Sequence, residues 1–168
     1  GGLTFLFIYT GLFFISILAG IVCLFIIFFF RDPERSPGPD AGNAVLTPAD
    51  GTILEVLHLK GSDNPFGQAS IKISIFMSVF NVHVNRIPIK GTIEKITYHP
   101  GKFFSANLDK ASKQNEKNEI ALQTPDAKKI VFVQIAGLIA RRIACWIEKG
   151  DGVSAAQRFG LIRFGSRL

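Results

Sequence analysis

Three residues in this chain have the side chains of a nucleophilic catalytic group: Asp50 in "TPADG", His83 in "FNVHVNRIP" and Ser166 in "RFGSRL". In such a group a carboxylate orients an imidazole, and the imidazole takes the hydroxyl proton so that the serine oxygen can attack a carbonyl carbon. Each residue also has a structural interpretation. Asp-Gly is a common turn pair, and a lone histidine in a β-favouring run is more often structural. The residues alone leave both interpretations open.

The position of the serine indicates which carbonyl group it could attack. The sequence lacks the G-x-S-x-G motif that surrounds the nucleophile of α/β-hydrolases, and the best candidate, Ser166, directly follows Gly165. A nucleophile in this position can attack the carbonyl of the preceding glycine, whose missing Cβ leaves room for the bent backbone that the attack requires. The target of the chemistry would then be the chain's own backbone.

The elements that must position these residues are predicted to be strands. In "ASIKISIFMSV" the residues Ile71, Ile73 and Ile75 alternate strictly with polar ones, as in a half-buried strand. Four further stretches have β-favouring residues bounded by turn formers: "GTILEVLHL", "IKGTIEKITYH", "NEIALQT" and "KKIVFVQIAG". The polar stretch "GKFFSANLDKASKQNEKN" favours a solvated loop, with its two phenylalanines at a membrane interface as the alternative. The fold class predicted for the soluble domain is mainly β, sandwich-like or barrel-like.

The first 30 residues contain no charged side chain. As a helix they would extend about 45 Å, whereas a bilayer core of about 30 Å needs only about 20 residues. The surplus length allows one tilted transmembrane helix or a helical hairpin hinged near Gly11 or Gly20. A basic start and a small-residue cleavage site are both missing, so we expect residues 1–30 to be a retained membrane anchor and not a signal peptide.

Arg31 and Arg35 follow the anchor directly and place the rest of the chain on the cytoplasmic side of the membrane. Residues 31–42 are rich in proline and glycine and are predicted to form a linker to a domain at 43–168. The formal net charge of +6 suits anionic lipid headgroups. No clustered basic helix or RNA-binding signature supports nucleic acid as a partner. Two cysteines, Cys23 and Cys145, indicate neither a disulfide framework nor a metal site.

Several stretches, taken in their order along the chain, carry a family resemblance. They are "RDPERSP", "TPADG", "FMSVFNVHVNRIPIKG", "NLDKASKQNEKNEI", "QIAGLIARRIACW" and "GDGVSAAQRFGLIRFGSRL". With an apolar anchor ahead of them, they resemble the phosphatidylserine decarboxylase proenzymes of the short, membrane-anchored type. The resemblance covers nearly everything from Arg31 to Leu168.

This resemblance implies an enzyme that makes its own cofactor. Asp50 and His83 would activate Ser166 for attack on the Gly165 carbonyl, and the resulting ester would eliminate to dehydroalanine and hydrolyse to a pyruvoyl group with loss of ammonia. Cleavage would separate a β subunit, 1–165, from a downstream α subunit. The pyruvoyl group would form a Schiff base with phosphatidylserine and accept the electron pair released with carbon dioxide, leaving phosphatidylethanolamine. His83 is the candidate proton donor in that step.

The resemblance also implies partners and a location: a phospholipid substrate, the inner membrane with the domain on its cytoplasmic face, the cleaved α subunit, and a homo-oligomer as a further option. The residues expected to face lipid are Phe103, Phe104, Asn107 and Lys110. Arg141 and Arg142 either neutralise a phosphate or face solvent, the second being favoured, and no metal is expected.

Two departures from the family pattern qualify these expectations. Some members carry a second histidine where this chain has Arg86, so His83 must serve both reactions or another group must help. Members also continue past the glycine–serine pair for some tens of strand-forming residues, so the domain here is expected to lack its C-terminal strands. The alternatives are an inactive, truncated, membrane-tethered β domain, or a decarboxylase of a related lipid such as archaetidylserine.

Overall fold

The structure is a computed structural model that describes residues 2–38, 44–64, 66–106, 113–138, 142–163 and 165–168. The chain divides into two compact units, Gly1–Arg31 and Asp32–Leu168. We describe each unit by itself.

The first unit is one α-helix, α1, Gly2–Phe29. Its segment Tyr9–Phe29 has a mean hydropathy of 3.1 and is long and apolar enough to cross a membrane. The hairpin alternative is not formed, because Gly11 and Gly20 both lie within the continuous helix. From Tyr9 to Phe29 its side chains are predominantly apolar on every face and most of them are exposed, as expected for a helix that faces lipid.

The second unit is built of strands, as the residue patterns predict. They are β1 Thr52–Leu59, β2 Ser70–Met77, β3 Val84–Arg86, β4 Gly91–His99, β5 Lys117–Gln123, β6 Lys129–Ile135, β7 Ile143–Cys145, β8 Gly152–Val153, β9 Arg158–Ile162 and β10 Ser166–Arg167. A single turn of 3₁₀-helix, Gly61–Asp63, lies between β1 and β2.

The strands form two antiparallel sheets. A seven-stranded sheet has the order β1-β2-β10-β6-β5-β4-β8, and a three-stranded sheet has the order β3-β9-β7. Within the residues that the structure describes, neither sheet closes on itself. The mainly β prediction is therefore confirmed, and the barrel-like alternative is not realised.

The two sheets share an apolar core. Phe132 of β6 and Phe159 of β9 come from different sheets, and their ring centroids lie 4.8 Å apart with an edge-to-face angle of 65°. Both rings are buried, and removing a side chain of this size from water contributes about 2–3 kcal/mol. The largest core side chains around them are Met77, Ile87, Ile93, Ile120, Leu122 and Ile162.

Buried amide side chains cross this core between the sheets. Gln134 of β6 accepts a hydrogen bond from Asn118 Nδ2 at 3.2 Å and donates one from its own Nε2 to Asn85 Oδ1 of β3 at 3.0 Å. All three amides are buried. Because an unpaired buried amide would be costly, these bonds hold β3 in one position against β6. The strand so fixed begins directly after His83.

Candidate active site

The backbone brings the segment carrying His83 beside the glycine–serine pair. Strand β2 ends at Met77, which lies opposite Ser166 of β10, and β3 begins at Val84, which lies opposite Leu161 of β9. The β2–β3 connection and the β9–β10 connection therefore run between the same two sheets. The first connection carries His83 and the second leads into the glycine–serine bond. Sequence spacing gave no sign of this juxtaposition.

The glycine–serine pair combines a left-handed glycine with a buried serine. Gly165 has φ +66°, a left-handed conformation that glycine adopts far more readily than other residues. The Ser166 side chain is fully buried, and its Oγ has no hydrogen-bond partner among the described residues. A buried hydroxyl ordinarily finds a partner, so an exception calls for a functional explanation. A role as nucleophile is such an explanation, because the hydroxyl must then lose its proton and attack a neighbouring carbonyl carbon.

His83 is fully buried and is held by the turn that carries it. Its Nδ1 lies 2.9 Å from the carbonyl oxygen of Asn81. Because a carbonyl oxygen only accepts, Nδ1 carries the proton and the lone pair of the neutral ring is on Nε2. The turn is fixed in its own right, since Ser78 donates from both its backbone N and its Oγ to Asn81 Oδ1, each at 2.8 Å. The ring is thus the tautomer that a general base needs.

Asp50 lies at the same end of the large sheet. One row of paired residues runs across β1, β2 and β10 and consists of Thr52, Phe76 and Arg167. Asp50 precedes Thr52 by two residues and Ser166 precedes Arg167 by one, so both lie close to this row. The Asp50 carboxylate accepts a hydrogen bond from Arg35 Nη2 at 2.8 Å. Asp50 also lines a cavity of about 210 Å³ together with Val82 and Val84, the two neighbours of His83.

The residues predicted to contact lipid are partly described. Phe103 and Phe104 are half-buried, whereas Asn107 and Lys110 lie outside the described residues. Asn115 secures this segment: its Oδ1 accepts from the backbone N of Phe104 at 2.9 Å, and its Nδ2 donates to Phe104 O at 2.7 Å and to Ala136 O at 2.8 Å. Of the two candidate phosphate ligands, Arg142 is exposed and Arg141 lies outside the described residues.

Arg86, in the place of the second histidine, holds the start of the domain. Its guanidinium is buried and donates to Asp32 Oδ1 at 2.8 Å, to Pro33 O at 2.9 Å and to Ala156 O at 3.0 Å. Arg158 bonds both Glu34 and Asp32, and these carboxylates raise its pKa above the ordinary value. The "RDPERSP" stretch is therefore bound to the β domain through Asp32 and Glu34.

Several residues in this site were not singled out from the sequence. The carbonyl of Asn81 orients the imidazole, Asn115 joins two segments, and Gly137 lies against the carbonyl of Gly165. The glycine that ends the predicted strand "KKIVFVQIAG" was a visible signal for the last of these, since such a glycine marks close backbone approach. The other two carry no comparable signal, because their roles depend on contacts with distant segments.

The fold and the site together define a class: a two-sheet β domain, with an apolar helix ahead of it in the chain, in which a glycine followed by a buried serine lies beside a histidine segment. A family model described as phosphatidylserine decarboxylase matches residues 22–168. The chain belongs to the phosphatidylserine decarboxylase family.

Curated relatives named phosphatidylserine decarboxylase proenzyme give the same assignment. The chain is 50% identical to the one from Syntrophus aciditrophicus (strain SB) over 159 residues, covering 92% of this chain and 71% of the relative. It is 54% identical to the one from Desulfotalea psychrophila over 144 residues, covering 86% and 66% respectively. For the one from Cupriavidus metallidurans the identity is 52% over 149 residues, covering 88% and 67%. The family resemblance of the sequence motifs is thereby confirmed.

Proposed function

We propose that this chain is a proenzyme that cleaves its own backbone between Gly165 and Ser166, and that the mature protein decarboxylates phosphatidylserine to phosphatidylethanolamine. The observation that carries the proposal is the glycine–serine pair. It combines a left-handed glycine with a fully buried serine whose Oγ has no hydrogen-bond partner among the described residues. Family membership supports the same reaction, because the relatives are named proenzymes.

The cleavage step uses groups that belong to the chain. His83 Nε2 takes the proton of Ser166 Oγ, and Oγ attacks the carbonyl carbon of Gly165. A carbon–oxygen bond forms, the carbon–nitrogen bond of the peptide breaks, and the proton passes to the departing nitrogen. The product is an ester between the two residues, with atoms and charges balanced. The Asn81 carbonyl supports the step by keeping the proton on Nδ1.

Asp50 has a different part in this scheme. The carboxylate is half-exposed and paired with Arg35, and it lines the same cavity as Val82 and Val84, the sequence neighbours of His83. We assign it to stabilising the positive charge that develops on the imidazole when the serine proton is taken. Loss of this charge should slow the reaction and leave the fold intact, since an exposed ion pair contributes at most about 1 kcal/mol.

The residues fit the pyruvoyl group that the family implies. Ser166 would be its precursor, and the enclosed position of this residue would shield the group from water. When present, a pyruvoyl group supplies an electron sink for the bond to the departing carboxylate. His83 would hold the proton that the product receives. Helix α1 would keep the domain at the cytoplasmic face of the inner membrane, with Phe103 and Phe104 toward the lipid.

The experiment is a time course of cleavage for the full chain made by cell-free translation with lipid vesicles. Mass spectrometry should find an upstream piece ending at Gly165, and Ser166→Ala should remain intact. Asp50→Asn should cleave about 10-fold or more slowly, because the positive charge that develops on the imidazole loses its stabilisation. A wild-type chain that stays intact would contradict the proposal and favour an inactive β domain. Parallel assays of the mature protein with phosphatidylserine and archaetidylserine identify the lipid.

A further inference from the structure

Gly137 lies directly against the carbonyl group that the proposed cleavage attacks. It lies two residues after the end of β6, and a Cβ placed on it would fall on the carbonyl oxygen of Gly165. No side chain can be added at Gly137 unless that carbonyl moves. The contact joins two segments that are remote in sequence.

The backbone under this contact is held in place. The Ala136 N–H donates to Glu116 O at 2.9 Å, and the Ala136 carbonyl accepts from Asn115 Nδ2 at 2.8 Å. Ala136 and Asn115 are both buried. The Cα of Gly137 is therefore held in position, because Ala136 before it cannot shift without breaking buried hydrogen bonds.

The two glycines are needed for different reasons. Gly165 has φ +66° and open space where its Cβ would be, so it is the backbone angle, and not crowding, that favours glycine there. Gly137 has no left-handed φ, so its backbone angle would accept alanine, and the carbonyl group of Gly165 excludes the methyl group. Gly165 provides the bend in the backbone at the reacting bond, and Gly137 leaves space for the carbonyl oxygen of that bond.

From this geometry we propose that Gly137 is a positioning residue for self-cleavage. Its Cα, which carries no side chain, contacts the Gly165 oxygen and holds it in place, and this determines which face of the carbonyl carbon is turned toward Ser166 Oγ. The inference rests on the proposed function, since it concerns the same bond. A displacement of about 1 Å in a reacting group can cost about 100-fold in rate. We therefore expect Gly137→Ala to slow ester formation by about that factor.

Gly91→Ala is the matched control. A Cβ at Gly91 would meet the backbone oxygen of Gln123, a clash of the same kind, and Gly91 also has no left-handed φ. It lies on β4, which is separated from β10 by β5 and β6 in the sheet order. We expect Gly91→Ala to lower the melting temperature by an amount similar to Gly137→Ala while cleaving within about 2-fold of the wild-type rate, because the clash is far from the reacting bond.

The test measures cleavage of the full chain in vesicles, well below the melting temperature of each variant. Hydroxylamine added during the time course cleaves the ester, so it reports the first step separately from the later ones. Gly137→Ala should form almost no hydroxylamine-sensitive ester although it is folded. An ester formed at the wild-type rate in that variant overturns the inference. An intact wild-type chain contradicts the proposed function instead.

If Gly137→Ala does not fold, Asn115→Ala decides the question. This variant removes the hydrogen bond to the Ala136 carbonyl without introducing a clash. Its ester should form about 10-fold more slowly, because the backbone at Gly137 is then held less firmly against the Gly165 carbonyl. Asn64→Ala, whose side chain makes a similar set of bonds in a loop, should cleave normally. Equal rates for the two asparagine variants overturn the inference.

Discussion

The contribution of Asn115 to stability can be worked out from its contacts. Asn115→Ala removes three hydrogen bonds, to the backbone N and O of Phe104 and to the O of Ala136. The side chain is 2% exposed, so water cannot replace these bonds without opening the structure. At about 1 kcal/mol net for each bond, the expected loss is about 3 kcal/mol. For a domain of this size, that corresponds to a drop of about 10 °C in melting temperature.

The assay is thermal unfolding of the full chain in detergent, followed by circular dichroism. Ser166→Ala is used as the background, so that all samples remain single chains. Asn64→Ala is the control, because Asn64 donates to Lys60 O and Gln68 O and accepts from Phe66 N in a solvent-accessible loop. Water takes over those bonds, so the control should lose less than about 1 kcal/mol. If the two variants melt within about 2 °C of each other, burial does not govern the cost of these bonds and the reasoning is refuted.

Two further changes test the interactions at the start of the domain and the helix ahead of it. Arg86→Ala removes a buried guanidinium that donates three hydrogen bonds, to Asp32, Pro33 O and Ala156 O, and at about 1 kcal/mol net for each bond it should destabilise the domain by about 3 kcal/mol. Lys128→Ala, at an exposed pair with Asp126, should cost less than about 1 kcal/mol in the same melts. Comparable losses would mean that burial of the Arg86 pair is unimportant. Leu18→Arg puts a charge near the middle of α1 at an insertion cost of about 3 kcal/mol. The fraction recovered with membranes after alkaline extraction should fall, whereas Leu18→Phe should be retained, and equal retention of both would argue against a membrane span.

Features that depend on neighbouring residues were evident from the sequence. The uncharged first 30 residues predict an apolar helix, and α1 occupies Gly2–Phe29. The alternation around Ile71 and Ile73 predicts a strand, and β2 contains both residues. These signals are strong because helix and strand periodicities repeat over many consecutive residues. The sequence did not decide between one helix and a helical hairpin, because the glycines in this segment are compatible with both.

The short strands were not visible in the same way. The strands β3, β7, β8 and β10 have two or three residues each, too few for a periodic pattern. They are strands because partners from distant parts of the chain complete their hydrogen bonds. The pairing of Ser166 with Met77 is an example, and it decides where the nucleophile lies.

Residue types therefore determined the kind of chemistry, and tertiary contacts decided its arrangement. Aspartate, histidine and serine predict a nucleophilic group, and the position of the serine directly after a glycine points to the chain's own backbone as the target. That the Asn81 carbonyl orients the ring, that Arg86 binds Asp32, and that Gly137 receives the Gly165 oxygen follow only from the folded chain. Each of the last two joins segments far apart in sequence, and a contact of this kind leaves no periodic trace along the chain.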